Sequence, residues 1–452
     1  MIPAAFNPFL EQTPLCVMTR TTLECLFSPE RLDALFRNTA QRQYHKEVLF
    51  SQVVELMLSV VLRLDPSVNA AYHKRAATLP VSDQAVYDKL RRMELDISAA
   101  LVADSAEQVG PVIAALKARL KPWLRGYRVR VLDGNHLSAT ERRLRVLRQS
   151  WAAALPGKVL AVYDQELDLV TQVFLTPDGH AQERALLSGV LPSVRAKELW
   201  IADRNFCTLG FLFGIDAAGA AFVIRQHGTL KGQLLGKRRS RGRSSTGRVY
   251  EQDLELTQAG QTLRVRRVTV VLDKPTRDGD TEIHVLTNLP AAKAGAALVA
   301  GLYRQRWTIE TRFYEVTQTL DCEPNTLGYP KAALFAFCLA LVASNAVALL
   351  RASLRAVHGT EAVAELSNYY VALEVSQTYR GMMVALPPDQ WCVFHNRTAT
   401  ELAALLRRMA RQVQVDRYRK THRGPKKPPP PRTKYKNGGH VSTHRELENQ
   451  RP

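Results

Sequence analysis

The spacing of apolar residues changes character along the 452-residue chain. Over 46–64 they fall at Val48, Leu49, Val53, Leu56, Met57, Val60 and Val61, a helical period. Pro66 and Pro80 punctuate the next segments, and Ser82-Asp83 supplies an N-cap for a helix through Met93. From Tyr127 the period shortens. Alternating or continuously apolar runs at 128–133, 158–163, 169–175, 198–203 and 221–225 predict five strands, with a hairpin connection at 164–168 and a helical stretch around 181–191.

Strand, strand, strand, helix, strand, helix, strand is the element order of a ribonuclease-H-like mixed five-stranded sheet with helices on both faces. After Arg225 that alternation stops. Runs at 249–256, 262–272 and 281–286, β-branched or alternating and separated by polar turns, predict an all-β insertion. Helix returns at Ala291 and runs through Glu310 toward Leu320, with later helices over 332–350, 361–377 and 400–413. The expected class is α/β: a sheet core interrupted by an all-β insertion, with helical N- and C-terminal flanks. The divisions are a helical N-terminal region (1–120), a first core segment (121–225), the insertion with its basic loop (226–290), a second core segment (291–355), a helical C-terminal region (356–416) and a tail (417–452).

Residues 332–350 carry no charge and are long enough to cross a bilayer. Their alanines, Ser344 and Asn345, and their isolation in a basic chain favour a buried core helix instead. Met1 to Pro8 has no basic n-region and two early prolines, so no signal peptide is expected.

Charge narrows the field of partners. Against 42 acidic residues stand 62 Lys plus Arg, a formal net charge of +20, so an anionic partner is expected. An apolar content of 46% excludes wholesale disorder. Six cysteines without a C-x-x-C pair exclude a disulfide scaffold and a zinc ribbon, and fit a reducing compartment. Residues 407–452 hold 14 Lys/Arg against 3 Asp/Glu, with four prolines at 428–431, and read as a disordered basic tail that includes Lys426 and Lys427. A second block, 231–248, has seven Lys/Arg and no acid, and reads as a mobile basic loop with Lys237, Arg238 and Arg239 at its centre. One such block is as well explained by a solubilising surface; two of one sign point to a polyanion. The N-terminal helices, the third of them carrying Lys89, Arg91 and Arg92, are compatible with helix-turn-helix docking on a duplex.

Asp133 and Asp203 each follow a largely apolar strand. In this element order the first and fourth strands are neighbours, so the two carboxylates converge at one edge. Carboxylates that close repel unless a cation lies between them, and hard oxygen ligands suit Mg²⁺ or Mn²⁺. Glu310 is the candidate third acid. Tyr303, Arg306 and Glu310 are spaced three and four apart and share one helical face. Each aspartate taken singly is equally a turn former or helix cap, and an exposed salt-bridged face would account for Arg306 and Glu310 but less readily for Tyr303.

Val131-Leu-Asp133-Gly, Ile201-Ala-Asp203-Arg-Asn and Tyr303-x2-Arg306-x3-Glu310, with a β insertion between the last two, resemble the insertion-sequence DDE transposases of the IS-four group, whose signature is Tyr-x2-Arg-x3-Glu-x6-Lys. Phe222-Val-Ile-Arg225-Gln-His227 resembles the strand leading into that group's insertion. The similarity covers roughly 125–350. It implies phosphoryl transfer on double-stranded DNA, at transposon ends and target, by two Mg²⁺ or Mn²⁺ ions held by Asp133, Asp203 and Glu310. It further implies that Tyr303 and Arg306 contact the scissile or adjacent phosphate, with Arg204 and Arg225 as second-tier phosphate ligands. Lys237, Arg238, Arg239, Lys426 and Lys427 are the further DNA-binding candidates. A homodimer on DNA, a cytoplasmic, nucleoid-associated location, no membrane and no nucleotide cofactor complete the expectation; Gly232 to Lys237 falls one residue short of a phosphate loop and lacks its Ser or Thr.

Two departures stand out. The signature lysine is expected at 317, where this chain has Thr317, leaving its role weaker or taken by another base such as Lys331. No tryptophan lies between Trp200 and Trp307 to hold a flipped base, which leaves Tyr250 as stacking platform or as cross-strand packing residue. His136 is read as structural. The rival readings are another ribonuclease-H-like metal nuclease and a catalytically inactive DNA-binding protein.

Overall fold

The computed structural model describes residues 2–43, 48–137, 144–147, 153–276, 279–311, 313, 320–324, 327–421, 424 and 440–450. Their strands are β1 (Arg128–His136), β2 (Ala153–Leu155), β3 (Lys158–Asp164), β4 (Leu169–Thr176), β5 (Glu198–Ala202), β6 (Ala221–Arg225), β7 (Gln233–Ser244), β8 (Gly247–Gln258), β9 (Gln261–Leu272), β10 (Glu282–Thr287) and β11 (His440–Ser442). Nine of them form one mixed sheet in the order β4-β3-β1-β5-β6-β10-β9-β8-β7. β1, β5 and β6 run parallel, and the remaining pairs of that sheet are antiparallel.

The five strands expected between 128 and 225 are β1, β3, β4, β5 and β6. The near-continuous apolar runs of β3, β5 and β6 follow from burial on both faces, whereas β1 and β4 mix buried with partly exposed positions. Val129, Val131, Val159, Ala161, Leu199, Ile201 and Val223 enter one core cluster, and Leu132, Leu160, Val162, Trp200, Phe222 and Ile224 enter another. The first cluster is covered by the Leu95–Ala115 and Pro330–His358 helices, the second by short helices including Leu209–Ala217. The Pro330–His358 helix contains the uncharged run and is buried inside the protein. Its Asn345 is satisfied there: the side-chain oxygen accepts from Val170 N at 3.0 Å, and the amide donates to Val170 O and Ser105 Oγ at 2.9 Å each.

Four expectations need correction. The later strands do not stand apart from a five-stranded sheet, because β10 pairs with β6 through Val285↔Arg225 and Leu286↔Ile224 and so continues the same ladder. The basic block at 231–248 is largely β7, an edge strand hydrogen-bonded to β8, rather than a loop. Acids on β8, just past β9 and at the start of β10 hold its arginines: Arg241 with Glu251 at 2.7 Å, Arg243 with Asp273 at 2.8 Å and Arg238 with Glu282 at 3.3 Å. The helix drawn from Ala291 through Glu310 begins only at Ala296, ends at Arg304 and resumes at 307. Arg306 N donates to Tyr303 O and Ile309 N to Arg306 O, tight i→i−3 bonds that turn the chain between the two segments. Finally, the chain end is not wholly a disordered tail. β11 pairs with β2, and Asp178 accepts from Ser442 Oγ at 2.6 Å and Arg445 Nε at 2.8 Å. Lys426, Lys427 and Thr317 lie outside the described residues.

In the N-terminal region, helices occupy Phe50–Val61 and Asp83–Arg91, the latter capped by Ser82, whose Oγ accepts from Ala85 N. The segment expected as one helix over 361–377 is two, Thr360–Ala364 and Asn368–Ala385, and Ala399–Ala410 supplies the last of the expected helices.

Candidate active site

The parallel ladder between β1 and β5 closes with Leu132 opposite Ala202. Asp133 and Asp203 are therefore the next residues on two adjacent strands, at their carboxyl ends. Each lies two residues beyond a side chain of the larger core, Val131 or Ile201, so strand alternation aims both carboxylates toward the same face. Asp133 is not past the strand, however. β1 continues to His136, pairing Asp133 with Ala161 of β3. Asp203 leaves β5 directly, and its carbonyl accepts from Phe206 N in a short 3-10 turn.

The helix Ala296–Arg304 packs against this face through Val299 and Leu302 and delivers the remaining groups. Tyr303 Oη donates to Asp203 Oδ1 at 3.1 Å. One turn on, Arg306 donates from Nη1 to Asp133 Oδ2 at 2.8 Å and lies 2.7 Å from Glu310 Oε1 through Nη2. Asp133 and Glu310 are thus one guanidinium apart, although they are 177 residues apart in sequence. Tyr303, Arg306 and Glu310 reach the acids from a helix end, a turn and the next helix rather than from one helical face.

Electrostatics follow from this crowding. Burial pushes the Asp133 carboxyl up to about 7; Glu310 and Asp203 add to the rise, while Arg306 and the Gly134 amide oppose it. Burial also pushes up the Tyr303 phenol, with Asp203 adding to it. Burial works against the Arg306 charge but is outweighed by Asp133, Tyr303, Asp203 and Glu310, which hold it protonated. Arg306 Nε is buried without a partner among the described residues.

The donor set is three hard carboxylates against one guanidinium, an uncompensated charge suited to Mg²⁺ or Mn²⁺. As they stand, no three acidic, histidine or cysteine side chains among the described residues are grouped to hold an ion, and Arg306 lies between two of the acids.

The other candidates sort themselves around this centre. Arg225 is committed to Asp280 at 2.6 Å, and Arg204 acts on the same carboxylate, so both lie beside the acids but with a counter-ion in place. Lys237, Arg238 and Arg239 are exposed on β7, with Arg239 3.6 Å from Asp253. Tyr250 is a packing residue here, opposite Ser240 and Thr269 and under the Arg238 guanidinium at 4.1 Å. His136 is exposed at the end of β1, and Lys331 acts on Glu94.

Sequence reasoning missed two neighbours. Trp307, beside Arg306 with its ring 5.4 Å from the guanidinium, is 61% exposed, unusual for a tryptophan. Glu183 brings a fourth carboxylate against Gly134, where any Cβ would collide with it. Neither had a signal: tryptophan reads as core, and Glu183 is one acid in a short helical stretch.

Fold and site together define an acid-centred α/β core whose sheet runs on into a basic edge. Residues 124–346, which include Asp133, Asp203, Tyr303, Arg306 and Glu310, match the family described as transposase DDE domain, and the chain carries that domain. A putative transposase, y4zB, of Sinorhizobium fredii (strain NBRC 101917 / NGR234) is 29% identical over 168 residues, 36% of this chain and 44% of that protein, so the match spans less than half of the relative. Among solved structures, the piggyBac transposase synaptic complex with hairpin DNA is similar at a TM-score of 0.42 and 8% identity, covering 88% of this chain and 85% of that one.

Proposed function

We propose that this chain is a DNA transposase of the insertion-sequence IS-four group, which binds the ends of its element, cleaves them and joins the 3′-hydroxyl to target DNA. The observation that carries the reading is the closing register of β1 and β5, which sets Asp133 beside Asp203 on the edge where Arg306 gathers Glu310. The strand order β4-β3-β1-β5-β6 supports a ribonuclease-H-like core, with β7–β9 as its insertion and residues 1–120 and 356–416 as flanks. Asp133, Asp203 and Glu310 would hold two divalent ions, which when bound supply Lewis-acid activation of a water or 3′-hydroxyl and of the leaving oxygen. Tyr303 orients Asp203 through its phenol. Arg306, released from the carboxylates, offers a two-pronged donor to the scissile phosphate. The partly buried edge limits water around these groups, and the β7 arginines and lysine hold the duplex alongside. The active form on DNA is a homodimer acting on chromosomal DNA in the cytoplasm.

The test is nicking of a duplex taken from the DNA flanking the gene, with Mg²⁺ or Mn²⁺. Asp133→Asn, Asp203→Asn and Glu310→Gln are each expected to abolish nicking while retaining duplex binding. An amide variant that still nicks overturns the assignment of the acids; a wild-type protein that binds but never nicks leaves a DNA-binding protein without chemistry.

A further inference from the structure

A third basic block lies where the chemistry does not use it. Residues 117–130, KARLKPWLRGYRVR, contain six Lys/Arg and no acid. The segment is pinned across the β3–β4 turn: Leu120 N donates to Glu166 O at 2.8 Å, Gln165 Nε2 to Lys121 O at 2.9 Å, and Trp123 N to Gln165 Oε1 at 3.1 Å. Between it and the turn at 193–198 opens a cavity of about 640 Å³, lined by Tyr127, Arg128, Arg130, Gln172, Arg195 and Lys197.

The charge here is not internally balanced. The buried Asp164 and Glu198 are taken up by Arg128 and Arg130, at 2.6–3.1 Å. Arg195 donates from Nη1 only to the carbonyls of Pro192 and Val194, and Lys121, Arg125 and Lys197 take part in no ion pair among the described residues. Glu166 is the remaining acid lining the cavity. Two lysines of this surface, Lys117 at φ 54° and Lys197 at φ 64°, hold the left-handed backbone region, which residues with a side chain rarely adopt. At Lys197 it is held by Arg128 N→Lys197 O at 3.0 Å and Lys197 N→Gly219 O at 3.1 Å. The surface stands at the amino end of β1, five residues from Asp133, or about 17 Å along an extended strand. It faces away from the carboxylates.

We propose that this amino edge is a second phosphate-binding surface, which grips a DNA duplex other than the one presented to Asp133, Asp203 and Glu310. The inference rests on the reading of DNA as substrate. Two opposed edges of one sheet cannot both face the side of a single straight duplex, so the surface brings a second segment to the protein. A free mononucleotide is the other source of the same phosphate chemistry, and the cavity has room for one.

The full-length protein is loaded on an immobilised duplex from the DNA flanking its gene, and capture of a second, labelled duplex of random sequence is followed across a salt titration. The triple variant Lys121→Ala/Arg125→Ala/Lys197→Ala replaces exposed side chains, and its thermal melt checks the fold. Expected are capture weaker by roughly tenfold or more and a log–log salt slope shallower by about 2.7, with nicking of the immobilised duplex unchanged. Equal capture with an unchanged slope overturns the proposal, since the second duplex would then be held by another surface, such as the acid edge of a second copy. Adenosine monophosphate binding that the variant loses while duplex capture persists also overturns it, in favour of a nucleotide pocket. Absence of nicking by the wild type sinks the proposed function and leaves the capture comparison standing.

Discussion

Asp133→Asn in the metal-free protein gives the sharpest test of the site's electrostatics. The Asp133 carboxyl is displaced from its ordinary 3.8 to about 7 chiefly by burial. The folded state therefore holds this proton more tightly than the unfolded chain, so the contribution of this group to stability is fully present below pH 4 and is lost as pH rises through 7. A displacement of that size corresponds to about 4 kcal/mol. The asparagine variant keeps an oxygen acceptor for Arg306 but cannot ionise. Its pH-independent costs cancel when the difference between variant and wild type is followed against pH. Urea denaturation monitored by tryptophan fluorescence, in chelator at pH 4, 5.5 and 7.5, should show the variant gaining on wild type by about 4 kcal/mol across this range, with most of the gain between pH 4 and 7. A difference that stays flat would mean that Asp133 ionises like an exposed carboxyl, and the crowded, buried edge described here would be wrong.

Two further expectations concern residues beside and beneath the site. Trp307→Ala should change stability by less than about 1 kcal/mol, because the ring is largely exposed, yet weaken binding of a duplex with an unpaired base near the cleavage point by about 1–3 kcal/mol, as anisotropy titration would measure. Asn345→Ala should lower stability by roughly 2–4 kcal/mol without affecting the acids directly, since it strands the Val170 N–H and C=O inside the core; a thermal melt indistinguishable from wild type would contradict that account.

How much of this was legible depended on where each signal lay. β3, β5 and β6 could be read because strands buried on both faces must be apolar throughout, β1 and β4 because apolar residues recur along them at a strand period, and an acid at the end of such a run stands out, as at Asp133 and Asp203. Glu310 was legible only through its spacing from Tyr303 and Arg306. The break at Gln305-Arg306 was not, because neither residue is a helix breaker and the turn is imposed by packing of the two segments. Lysine and arginine at high density argue against a strand, yet β7 forms because Glu251 and Asp253 on β8, and Asp273 just past β9, supply the countercharges. The return of β11 to β2 is a pairing across more than 280 residues, which no local pattern announces.

The buried Pro330–His358 helix also has a consequence for synthesis. The strands of the nine-stranded sheet and the N-terminal helices leave the ribosome before this helix is made, so the Leu95–Ala115 helix and the apolar sheet face beside it wait without this partner until late in translation. A message truncated upstream of codon 330 yields a product with that face exposed, fit for aggregation or proteolysis rather than for competing with the intact protein on DNA.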